Sequence, residues 1–134
     1  MVHRFLFIGR WVVDFLFAID KYDEEEVLAT LYDMGAPEAI RKKTERLMKS
    51  KSLNTGFTFT NSENLSALVV VGPVSSGAEF VDTFVHEIHH LAVAIAANLN
   101  IDLESETPAY IAGDSARELV DLVCSLGCSR CNEE

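Results

Sequence analysis

Apolar and polar residues follow two rhythms along this chain, one of strands and one of helices. Residues 4–8 and 11–19 are dense in Phe, Val, Ile, Trp and Leu, with Gly9 and Arg10 between them. This pattern predicts a strand pair or one long bulged strand, central to a sheet. Further on, Phe57-Thr58-Phe59-Thr60 alternates as a half-buried strand does, and Leu65 to Val71 forms an apolar run closed by Gly72-Pro73. The turn Asn61-Ser62-Glu63-Asn64 joins them, so an antiparallel pair is expected.

The helical rhythm occupies the rest. Asp23, Glu24, Glu25 and Glu26 put carboxylates at the positive end of a helix whose apolar side is Val27, Leu28, Leu31 and Tyr32, and Gly35 stops it. Ala36-Pro37-Glu38 opens a second helix through Ile40, Leu47 and Met48, ending near Ser50. Residues 78–99 predict one long helix in which Val81, Val85, Ile88, Ala92, Ile95 and Leu99 form the core-facing stripe. Ser105 to Gly127 predicts the last helix, with Ser105 as N-cap and Pro108 in its first turn. The expected class is α+β: a short mixed or antiparallel sheet with about four helices, in one domain over residues 1–134 with residues 125–134 as a flexible tail.

Composition narrows the partners. The 134 residues, 49% hydrophobic, suffice for one sizeable core. Eleven Lys and Arg stand against 21 Asp and Glu, a net charge of −10 that argues against nucleic acid. The exception is residues 41–51, where Arg41, Lys42, Lys43, Arg46, Lys49 and Lys51 meet one acid, Glu45. They read as the solvated face of one helix and only secondarily as a docking surface. Arg10 and Asp14 interrupt the apolar N-terminus, which falls short of the ~18 uncharged residues of a membrane span. It reads as folded structure, with neither membrane nor targeting role.

Cys124, Cys128 and Cys131 are an odd number and cannot form a self-contained disulfide framework, so a cytoplasmic setting is expected. Cys128 and Cys131 make one C-x-x-C without a second ligand pair. Ordinary thiols are the simplest reading, with Cys124 in the core; a redox pair or an intermolecular metal site are the alternatives.

Three of the four His, namely His86, His89 and His90, fall within five residues. His86-Glu87-Ile88-His89-His90 satisfies H-E-x-x-H inside the long predicted helix. Residues four apart share a helix face, so His86 and His90 can converge on one ion. Glu87 lies beside them as a general base for water activated by Zn²⁺. His89 points about 100° away from His90 and is assigned packing or hydrogen bonding. The plain alternative is that these are ordinary core or surface histidines.

A third ligand is expected from the start of the following helix, among Asp102, Glu104, Glu106 and Asp114. Glu106 is favoured because Glu106, Tyr110 and Asp114 form one polar stripe on an otherwise apolar helix, costly to bury without purpose. Tyr110 would then donate to a developing oxyanion, and Asp114 or Asp102 would orient a ligand histidine. Otherwise all three carboxyl and phenol groups simply face solvent.

With these residues in view, the chain resembles the zincin metallopeptidases, and within them the gluzincin type. Phe84 to Leu91 and Glu104 to Gly113, together with Gly56-Phe57-Thr58 and Val69 to Pro73, are similar to small zinc peptidases of phages and mobile elements of gut bacteria. The resemblance covers most of the chain. It implies one Zn²⁺ per chain on His86, His90 and Glu106, with Glu87 as catalytic base. Val93 and Ala96 stand where a metzincin has Gly and His, and Tyr110 where many gluzincins have Asp. The expected activity is hydrolysis of a peptide or protein substrate, docked on a sheet edge beside Leu65 to Val71. The competing expectation is a catalytically inactive zinc-binding or partner-binding module of a phage or mobile element.

Overall fold

The computed structural model describes residues 2–17, 23–119, 121, 124 and 125. Their order is β1 (Val2–Ile8), β2 (Trp11–Phe17), α1 (Glu24–Asp33), α2 (Glu38–Lys49), β3 (Gly56–Asn61), β4 (Ser66–Val71), α3 (Gly77–Asn98) and α4 (Thr107–Glu118). This is an α+β fold with a four-stranded mixed sheet and four helices. β1 and β2 form a hairpin whose two-residue turn places Gly9 at φ 58°, a conformation glycine adopts without a Cβ penalty.

The strand order is β1-β2-β4-β3, with β2 and β4 parallel and both outer pairs antiparallel. Of the N-terminal strands, β2 is central as expected, whereas β1 is an edge. β4 is interior, so the substrate edge expected beside Leu65 to Val71 is already paired on both sides. The free edge near the last strand pair belongs to β3 instead. Continuous apolar runs mark strands covered on both faces, and the two interior strands show why. Val13, Phe15, Phe17, Ala67, Val69 and Val71 face one core, while Leu16, Leu68 and Val70 face the other.

α1 and α2 close that second core through Val27, Leu31 and Met48. The Asp23 carboxylate caps α1 by accepting from the Glu26 N–H at 3.1 Å. α3 and α4 cover the opposite face. α3 lies over β4 and β3, whereas α4 packs between α3 and β1.

Two helix readings change. Along α3 the buried stripe is Phe80, Phe84, Ile88, Leu91 and Ile95, while Val81, Val85 and Leu99 are 47%, 57% and 55% exposed. Both faces offered apolar residues, and the larger aromatic side chains took the core. Phe80 and Phe84 stack at 6.3 Å and meet Phe17 at 6.0 and 6.1 Å, fixing the rotation of the whole helix. α4 begins at Thr107 with Glu106 as its N-cap residue, one position later than expected; the Ser105 hydroxyl donates to the Asp102 carbonyl at 2.6 Å and accepts from the Thr107 N–H at 3.4 Å. Cys124 is exposed and not in the core, and Cys128 and Cys131 lie outside the described residues. Among the described residues no helix is long and apolar enough to cross a membrane.

Candidate metal centre

The rotation of α3 decides the site. With Phe80, Phe84, Ile88 and Leu91 against the sheet, Glu87 falls on the boundary facing β3, and His86 and His90 sit just outside it. The two Nε2 atoms lie 3.1 Å apart, with the rings edge-on at 81°. Two imidazoles on one tetrahedral zinc, with Zn–N of about 2.0–2.1 Å, bring their nitrogens to about 3.3 Å. At this distance one ring N–H donates to the other ring nitrogen, and the same spacing is compatible with two ligands of a single ion.

Glu87 is only 4% exposed. Its Oε1 accepts from the Thr58 hydroxyl at 3.0 Å, and the same hydroxyl lies 3.2 Å from the Glu87 carbonyl oxygen. Oε2 has no hydrogen bond among the described residues. No Lys or Arg among them pairs with this carboxylate. A buried carboxylate without a cation is costly. A divalent ion on the adjacent imidazoles would supply a charge of opposite sign, so His86 and His90 fit two positions of the implied metal, while among the described residues no third ligand joins them.

β3 forms the other wall. Its Gly56, Thr58 and Thr60 face α3 across an open cleft of about 350 Å³ that His86, Glu87 and His90 also line. Gly56 allows this proximity: a Cβ there would lie 2.5 Å from the Val70 carbonyl oxygen and 3.1 Å from Glu87 Cγ. Asn54 pins the approach to β3 by accepting from the Ser75 N–H at 2.9 Å, one residue before the α3 N-cap Ser76. Asp82 lines the neighbouring recess beside His86 and Glu87.

The remaining expected residues lie elsewhere. Glu106, Tyr110 and Asp114 are on the outward face of α4, opposite the buried Pro108, Ser115 and Leu119. Their stripe meets solvent, so no burial cost marks it as a site; Asp114 pairs with Arg117 at 3.3 Å. Asp102 and Glu104 are exposed, Asp102 accepting from the Glu104 N–H at 2.9 Å within a turn. α4 also flanks α3 on the β1 side, whereas the histidine pair looks toward β3. Among the described residues, no group of three His, Cys, Asp or Glu side chains converges as a metal site. His89 is exposed, with its ring 6.2 Å from that of His90, and does not line the cleft.

No protein family, curated protein or solved structure matches this chain. The H-E-x-x-H spacing nominates His86, His90 and Glu87 and gives no role to Thr58 or Gly56. The available signal was the alternation itself, because positions 56, 58 and 60 are the small or polar face of a strand whose other face is Phe57 and Phe59.

Proposed function

We propose that the chain is a zinc-dependent metallopeptidase of the zincin kind, hydrolysing a peptide bond with Glu87 as general base. The supporting observation is the convergence of His86 and His90 Nε2 at 3.1 Å beside the buried Glu87 carboxylate. His86 and His90 would hold the zinc. When bound, the ion supplies Lewis-acid polarisation of the scissile carbonyl and acidifies water. Thr58 fixes Oε1 of Glu87 and leaves Oε2 open to the cleft. That oxygen accepts the proton of the attacking water and returns it to the leaving nitrogen. An extended substrate adds to the free edge of β3, which runs along the cleft. A cytoplasmic setting belongs to the proposal, supported by the odd cysteine count.

The resemblance nominates Glu106 as third ligand, but its outward position on α4 does not support that role. Among the described residues no third His, Cys, Asp or Glu joins the pair, and the second reading is a zinc-binding or partner-binding module without catalysis. Elemental analysis of untagged protein separates these from a metal-free structural protein: about one zinc per chain is expected, falling sharply in His86→Ala. Metal-free native protein would sink both zinc readings. Glu87→Gln is expected to keep the zinc and abolish cleavage of a peptide library, whereas a wild type inert toward that library points to the module.

A further inference from the structure

The other face of β3 opens onto α2. There Ile40, Lys43, Thr44, Leu47 and β3 from Phe57 through Thr58 to Phe59 line a groove of about 210 Å³. It is smaller than the ~300–1,000 Å³ of small-molecule sites and suits a side chain. The apolar floor comes from Phe57 and Phe59, which alternate with the cleft-facing residues of the same strand. Any chain added to the β3 edge therefore presents its side chains alternately to the His86 cleft and to this groove.

Lys43 puts a cation on the rim. Elsewhere on α2 the cations have partners: Lys42 pairs with Glu38 at 3.2 Å and Lys49 with Glu45 at 2.6 Å, while Arg41 lies 5.1 Å from the Tyr32 ring centroid. The Glu45 hydrogen bond holds the Lys49 ammonium above the usual lysine range. Lys43 and Arg46 have no acidic partner among the described residues and stand on adjoining flanks of the helix. Residues 41–51 are net cationic in a chain of net charge −10. The overall field opposes an acidic ligand, but screening over about 8 Å leaves the near charges in control.

We infer that the α2 groove is a specificity site for an extended peptide bearing an apolar side chain and, two residues away on the same face, a carboxylate. The apolar group seats between Leu47, Ile40 and the two phenylalanines, and the carboxylate pairs with Lys43. The peptide orientation rests on the β3-edge reading above, but binding can be measured without cleavage.

The probes are two capped, fluorescein-labelled peptides of about eight residues, alternating alanine with leucine and glutamate in one and with leucine and lysine in the other. Fluorescence polarisation with the full chain, as wild type and as Glu87→Gln, is expected to favour the glutamate peptide, and replacing its leucines by serine is expected to weaken binding. Lys43→Glu is expected to weaken the glutamate peptide by about fivefold or more and to strengthen the lysine peptide. Lys43→Gln, which removes the charge without reversing it, tests the preference should Lys43→Glu fail to show a native circular dichroism spectrum. Equal binding of the two peptides, binding of neither, or a preference unmoved by either Lys43 variant overturns the inference. Loss of zinc or absence of cleavage with the preference intact would sink the peptidase reading and leave this one standing.

Discussion

At the residue scale, Thr58 and Gly56 do what the histidine motif cannot do alone. Glu87 lies one position along α3 from His86, and helix geometry puts its side chain near the imidazoles but does not aim it. The Thr58 hydroxyl aims it, and Gly56 lets β3 come close enough for that bond. Gly56→Ala would drive a methyl into the Val70 carbonyl, which is backbone and cannot swing away. A cost of about 1–3 kcal/mol is expected, measured as a lower urea midpoint. An unchanged midpoint would mean that Gly56 does not lie this close to the Val70 carbonyl of β4. The histidine pair was legible in the sequence because four-residue spacing is a local property of the helix. The Thr58–Glu87 bond spans 29 residues of sequence, and no local pattern encodes it.

At the element scale, α3 carries two candidate apolar faces that share Ile88, Ala92 and Ile95 and diverge at their ends. Spacing alone accepted Val81, Val85 and Leu99, and the core accepted Phe80, Phe84 and Leu91. A pair of substitutions distinguishes them. Leu91→Ala, at a fully buried position, is expected to cost about 2–5 kcal/mol, whereas Val85→Ala stays within about 0.5 kcal/mol. Denaturant titration of both variants checks the rotation, and with it the placement of Glu87 at the cleft. α4 shows the converse error. Its polar stripe Glu106, Tyr110 and Asp114 looked expensive only under the assumption that the helix is buried all round. Its core-facing side is Pro108, Ser115 and Leu119, so the stripe is the ordinary solvated face of an amphipathic helix. Glu106→Gln is accordingly expected to leave zinc stoichiometry unchanged; loss of metal in that variant would show that α4 brings its first turn to the pair.

For the whole molecule, zinc binding to the folded state alone would stabilise it by mass action. At a free zinc concentration 100 times the dissociation constant the gain is about 2.7 kcal/mol. Thermal scans are expected to show a Tm rise of several degrees on zinc addition, reversed by a chelator and absent in His86→Ala. A wild type and His86→Ala with identical zinc responses would place the metal elsewhere. The sequence by itself determined the elements, their order and the H-E-x-x-H face, because capping, turn chemistry and helical periodicity act over a few residues. It also determined the cationic segment of an acidic chain. Only the tertiary structure decided that β3 rather than β4 is the free edge, which face of α3 meets the sheet, and which residue holds Glu87. Those follow from strand pairing and from competition between side chains for one core, where contacts between distant segments choose among locally equivalent patterns.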